Sequence, residues 1–224
     1  MKELKIPKGV YTSTLAVNSD TKGKLVDETY EFTGEHISEY DRTKAEAHKI
    51  ADEFIKQGLP LVIVQPGLIY GPGDTSTVRT NLLDLLKGRL PALPSQTAYS
   101  WAHVDDIVDG HILAMEKGKN GESYIICGEP YSAADAFTLA AKTASKRAPI
   151  TVPYQMMKAM SVLVTPLDSI LPDTYTSEGL RVVGGVTYLG DNSKAKRKLG
   201  YNPRPVSEGW VETVRHEMKL LGMR

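Results

Sequence analysis

Residues 38–67 read Ser38-EYDRTKAEAHKIADEFIKQGLPLVIVQP-Gly67, and this stretch decides the fold. Ser38 is placed to cap a helix over Glu39–Gln57, with Gly58 as its stop and Pro60 beyond. Ala47, Ile50, Ala51 and Phe54 recur at helical spacing and predict one buried stripe. Tyr40 and Lys44 stand one turn apart at the start of the helix, on a face continued by Ala47 and Ala51. Leu61–Gln65 is a short continuous apolar run, the signature of a parallel strand covered on both faces. It runs into the loop PGLIYGPG at 66–73, which reads equally as an ordinary turn or as a place where glycine lets backbone approach a flat ligand closely.

Upstream, KGVYTSTLAV (Lys8–Val17) predicts a strand that ends in the hydroxyls of Thr12, Ser13 and Thr14. A polar segment to Ile37 reads as a loop. Strand, helix and strand make a βαβ unit, and open α/β sheets place their ligands at the C-terminal ends of their strands.

Downstream, helices are expected at Val78–Lys87, Ile107–Lys117, Ala133–Ser145, Tyr154–Val164 and Ser207–Leu221. A strand is expected at Glu122–Cys127, and a short helix capped by Asp191–Lys194 ends at Gly200. Asp105 or Asp106 is expected to cap the helix after Trp101-AHVD-Asp106. His103 has no second His or Cys at ligand spacing, so it reads as a structural hydrogen-bonding group and no metal site is expected.

A phenol one helical turn from an ammonium is an acid–base pair, because the neighbouring cation favours the phenolate. Such a pair can exchange a proton with a substrate hydroxyl or carbonyl. A second Tyr-x-x-x-Lys, Tyr154–Lys158, follows Pro153 without a hydroxyl-rich strand before it, and reads as packing in a Met-rich helix.

Lysine plus arginine and aspartate plus glutamate both number 27, so the net charge is zero. That argues against a nucleic-acid surface and against a polybasic membrane patch. The single cysteine, Cys127, cannot close an internal disulfide, which fits a reducing, cytoplasmic setting. No apolar run reaches the length of a membrane span.

The order of hydroxyl strand, Tyr40-x-x-x-Lys44 and Val64-Gln65-Pro66-Gly67 resembles the extended short-chain dehydrogenase/reductases, in the branch of NAD(P)-dependent epimerases, dehydratases and dihydroflavonol-reductase-like enzymes. Tyr70-GPG-Asp74, Trp101-AHVD-Asp106 and Asp191-NSKAKRKLG-Tyr201 extend the likeness over nearly the whole chain. The resemblance implies an α/β fold: the C-terminal part of a Rossmann-type parallel sheet with a small α/β substrate-binding lobe. The Rossmann part would occupy 1–130 with a lobe insertion near 75–100, and 131–224 would be mainly lobe and C-terminal helices.

It also implies roles. Tyr40 would be the acid/base, and Lys44 would hold the nicotinamide ribose and ease loss of the Tyr40 proton. Thr14, 26 positions before Tyr40, would hydrogen-bond the reacting oxygen, with Ser13 its neighbour at the substrate. Pro66, Gly67 and Leu68 would line the nicotinamide of NAD or NADP through backbone groups. The implied partner is a small-molecule substrate, and the implied reaction is hydride transfer with Tyr40 moving the matching proton. A homodimer through the helices at 39–57 and 78–87 is a further implication.

The chain departs from the family in two ways. It has no G-x-x-G-x-x-G turn to bind a pyrophosphate. It is therefore expected to be truncated, opening at the family's fifth strand, or to be completed by another polypeptide. An alternative is a scaffold that kept the fold and lost catalysis. Second, Tyr99-Ser100 stand where nucleotide-sugar epimerases carry an arginine for the diphosphate, leaving Tyr99 and Arg181 as candidate substrate contacts. Leu15-Ala16 after Thr14 supply no acidic pair, which tilts the reading away from a dehydratase.

Overall fold

The structure is a computed structural model that describes residues 1, 3–90, 92–156 and 185–223. The chain divides into two compact units. The first comprises Met1–Gly71, Ser100–Pro130 and Tyr188–Val206; the second comprises Pro72–Tyr99, Tyr131–Thr187 and Ser207–Arg224. Residues 188–206 thus return to the first unit instead of staying with the lobe expected after 130. The expected helix 154–164, Lys158 and Arg181 lie wholly or partly outside the described residues.

In the first unit β1 (Gly9–Thr12), β2 (Leu61–Pro66) and β6 (Ser123–Ile126) form a parallel sheet in the order β1-β2-β6. The register sets Val10 against Val62 and Ile63 against Ser123. The central strand is fully buried at Val62, Ile63 and Val64, which accounts for its unbroken apolar run. On one face Val62, Val64, Tyr124 and Ile126 pack with Ile107 and Ala114 of α3 (Val104–Lys117) and with Ala195 and Leu199 of α5 (Ser193–Leu199). β3 (Leu68–Tyr70) lies inside the expected loop and pairs in parallel with Trp101–His103 of β5 (Ala98–His103).

α1 (Glu39–Lys56) begins as read. Ser38 Oγ accepts from the Asp41 N–H at 3.1 Å and donates to Asp41 Oδ1 at 2.9 Å. At the other end Gly58 takes φ +85°, and the Leu59 N–H reaches back to the Phe54 carbonyl at 2.9 Å. The expected stripe is only partly buried. Ala51 is covered, but Ile50 and Phe54 are about half exposed, because α1 turns that flank away from its own unit.

The expected strand from Lys8 is shorter than its composition suggests. It ends at Thr12, and Leu15–Asn18 wind into a 3-10 helix whose cap is Thr14. The backbone breaks there because the Thr14 hydroxyl oxygen accepts the Ala16 N–H at 3.2 Å, a local bond that competes with the ladder. His103, not Asp105 or Asp106, caps α3 through Nδ1 and the Asp105 N–H at 3.4 Å. Asp106 is instead buried and accepts from the backbone N–H and Nε of Arg204, both at 3.0 Å.

In the second unit α2 (Thr77–Leu86) and α4 (Ala133–Thr143) pack together, and β4 (Ala92–Pro94) pairs in parallel with β8 (Ile150–Val152). Phe137 packs on Trp210 of α6 (Val206–Leu220), with ring centroids 5.3 Å apart. Arg79 of α2 makes a two-point ion pair, at 2.9 and 3.0 Å, with Glu217, a carboxylate 1% exposed. The helices of the implied dimer contact fall in different units, α1 in the first and α2 in the second. β7 (Pro130–Ser132) and β9 (Thr187–Tyr188) carry the chain across the unit boundary. Among the described residues no helix is long and apolar enough to cross a membrane.

Candidate active site

The hydroxyl segment and the Tyr–Lys helix belong to one unit, and α1 packs directly against the 3-10 helix that Thr14 caps. Tyr40 is 56% exposed in the first turn of α1. Lys44 Nζ stands 5.7 Å from the Tyr40 ring centroid, so the i,i+4 spacing does bring ammonium and phenol ring together. On the helix flank facing solvent, Arg42 pairs with Glu39 and Glu46 and takes no part in the site.

Thr14 has one lone pair committed to Ala16 N–H, which leaves its O–H free to donate outward. Ser13 is different. It is 5% exposed and its Oγ lies 2.7 Å from His48 Nδ1, which ties it to α1. Burial pushes the His48 imidazole below its ordinary pKa, against the opposing pull of Asp52.

Pro66 ends the buried central strand, and Gly67 and Leu68 follow it. The Gly67 N–H is taken by the Ile126 carbonyl at 3.0 Å and is not available to a ligand. Gly67 must be glycine. A Cβ there would sit 2.2 Å from the Ser100 carbonyl oxygen and 2.8 Å from Cys127 Cβ. Cys127 itself is buried, donates to the Gly190 carbonyl at 3.2 Å and has its thiol pushed up to about 12 by burial, as suits an inert packing group.

Ser100 is fully buried and bound to the backbone of Gly190, as acceptor at 2.9 Å and donor at 3.3 Å. Tyr99 belongs to the second unit, and Arg181 lies outside the described residues. Of the residues expected at the site from the sequence, Ser13, Thr14, Tyr40, Lys44 and the turn at Pro66–Leu68 therefore fall in the first unit. An exposed phenol face with an ammonium one turn away suits a nicotinamide ribose, whereas the bare Cα of Gly67 makes room for Ser100 and Cys127 and not for a ligand. A cavity of 780 Å³ lies farther along α1, lined by Asn18, Gln65, His48 and Asp52 among others, and none of these catalytic candidates lines it.

Two groups beside the site escaped the sequence reading. Asp41, 2% exposed, accepts from Ser38 Oγ at 2.9 Å, Ser19 Oγ at 3.2 Å and Tyr188 OH at 2.9 Å. His48 is the other. The signal for both was their place on the helix: Asp41 is third after the Ser38 cap, and His48 is one turn beyond Lys44.

A parallel Rossmann-type layer with a hydroxyl strand exit beside Tyr-x-x-x-Lys defines the extended short-chain dehydrogenase/reductase class. The profile of the NAD dependent epimerase/dehydratase family matches residues 1–127, and the chain belongs to that family. Among individual proteins, it is 28% identical over 223 residues to 4-hydroxy-2-methyl-3-oxo-4-farnesyl-3,4-dihydroquinoline-1-oxide ketoreductase of Stigmatella aurantiaca, covering 96% of this chain and 66% of that one. The crystal structure of gox2253 superposes with a TM-score of 0.82 at 28% identity, over 99% of this chain and 69% of that one. UDP-glucuronic acid 4-epimerase of Bacillus cereus, in complex with UDP-glucuronic acid and NAD, shares the fold at 20% identity and a TM-score of 0.72, over 96% of this chain and 62% of that one. The chain spans less than two-thirds of the length of the curated relatives it matches.

Proposed function

We propose that the protein is an NAD(P)-dependent reductase or epimerase acting on a hydroxyl or carbonyl of a small-molecule substrate, with Tyr40 as acid/base. The observation that carries this reading is the placement in one unit of an exposed phenol, an ammonium over its ring, and a hydroxyl with a free proton at the exit of β1. Thr14 donates its O–H to the reacting substrate oxygen, and its bond from the Ala16 N–H uses a lone pair and leaves that proton uncommitted. Tyr40 exchanges a proton with the same oxygen. Lys44 offers N–H donors to the ribose hydroxyls of the cofactor. A bound nicotinamide would supply or accept the hydride.

Three features favour reduction of a ketone or aldehyde over epimerisation or dehydration of a nucleotide sugar. Ser100, in the place of an epimerase arginine, is neutral and committed to Gly190. Leu15 and Ala16 beside Thr14 are buried and apolar, so no acid stands there for elimination chemistry. The Stigmatella relative named above is a ketoreductase.

A panel assay tests this. Purified protein, reduced NAD or NADP, and a set of aryl ketones, aldehydes and UDP-sugars are mixed, and loss of reduced nicotinamide is followed by absorbance. Consumption with a ketone or aldehyde is the expected result. Interconversion of a UDP-sugar without net cofactor change would make the protein an epimerase. No turnover with any member would overturn the reading.

A further inference from the structure

Thr14 lies between two side-chain ties that bind its segment to α1. Before it, Ser13 Oγ meets His48 Nδ1 at 2.7 Å. After it, Ser19 Oγ donates to Asp41 Oδ2 at 3.2 Å. All the tied hydroxyls and the carboxylate are buried: Ser13, Ser19 and Asp41 are each no more than 5% exposed. On the helix, the ties land at Asp41, next to Tyr40, and at His48, one turn past Lys44. The same two contacts therefore flank the hydroxyl on its segment, and on the helix they enclose Lys44 and adjoin Tyr40.

The proton positions follow from the partners. Asp52 Oδ2 faces His48 Nε2 at 3.6 Å, beyond hydrogen-bond reach, and its negative charge favours the tautomer with the ring hydrogen on Nε2. Nδ1 is then bare and accepts the Ser13 O–H. The opposite side of the strand has a matching hold, since His111 of α3 meets Thr12 Oγ1 at 3.0 Å while its Nδ1 donates to the Ile107 carbonyl at 2.7 Å. Successive hydroxyls of a strand point to opposite faces, so Thr12 and Ser13 are gripped from two sides. The backbone that delivers Thr14 has little freedom left.

We infer that His48 and Asp41 are positioning residues that fix the Thr14 hydroxyl relative to Tyr40 and Lys44. The inference rests on the reading of those three as the catalytic groups. Neither positioning residue needs to touch substrate. Misplacing a catalytic group by about 1 Å is enough to cost roughly a hundredfold in rate.

The test uses His48→Leu, which removes the acceptor, and His48→Asn, which keeps an oxygen where Nδ1 stands. Ring-nitrogen NMR of the parent protein is expected to show His48 protonated at Nε2 and bare at Nδ1. In His48→Leu, backbone amide exchange over Thr14–Ser19 is expected to rise about tenfold, and kcat with the panel carbonyl compound to fall about a hundredfold with KM for reduced nicotinamide little changed. His48→Asn restores both. Should His48→Leu fail to fold, Asp41→Asn serves, since one acceptor oxygen must then do the work of two, and the same loss of kcat is expected. A proton on Nδ1, or unaltered exchange and kcat in His48→Leu while Tyr40→Phe is inactive, overturns the inference alone. Full activity of Tyr40→Phe overturns the functional reading beneath it.

Discussion

Tyr40→Phe is expected to lower turnover by roughly a hundredfold to ten-thousandfold, the range that general acid–base catalysis contributes. The substitution removes one oxygen and leaves the ring. Lys44 Nζ lies 5.7 Å from the centroid of that ring, and Phe presents the same face to it. Cofactor affinity should therefore change little. Because Tyr40 is 56% exposed, loss of its hydroxyl leaves no buried partner unsatisfied, and the melting temperature should not move. The split between kcat and cofactor binding is the informative part. A fall in both would mean that Tyr40 shapes the site instead of moving a proton, and normal turnover would remove it from the chemistry.

Gly67→Ala should have the largest effect on stability. The added Cβ would stand 2.2 Å from a backbone oxygen, that of Ser100, and 2.8 Å from Cys127 Cβ. A flexible side-chain tip could swing away, but the Ser100 carbonyl belongs to β5 and Cys127 follows the buried strand β6. Relief requires the strands to part. Overpacking typically costs about 1–3 kcal/mol, and a clash against backbone puts this substitution at or above about 3 kcal/mol. Urea denaturation reads it as a lower midpoint at unchanged slope. A cost below about 1 kcal/mol would mean that the exit of β2 repacks freely, and would weaken the assignment of Pro66–Leu68 as a rigid wall of the site.

The helix and strand around Tyr40 could be read from sequence because their signals are local. Ser38, Gly58 and Pro60 mark the ends of α1 by backbone chemistry that needs no tertiary partner, and the apolar run of β2 follows from burial on both faces. Legibility fails where a side chain chooses among partners. Thr14 bonds its own Ala16 N–H and ends the strand early, whereas β-propensity alone carries the strand to Val17. Ile50 and Phe54 sit at helical spacing with Ala51, but periodicity does not say which flank of the stripe the unit covers. Asp105 and Asp106 both suit a cap, yet Asp106 is drawn inward by Arg204 and His103 takes the role. His48 and Asp41 became visible only when residues far apart in sequence, Ser13, Ser19 and Tyr188, arrived beside them.

Thr14, Tyr40 and Lys44 are proposed to form the nicotinamide end of a dinucleotide site. A fluorescence titration of NADH and of NADPH into the purified protein, repeated with Lys44→Ala, tests it most directly. Saturable binding that Lys44→Ala weakens is the predicted result, since the ammonium is assigned to the ribose hydroxyls. Binding of neither cofactor by a folded sample, or binding indifferent to Lys44→Ala, would contradict the claim.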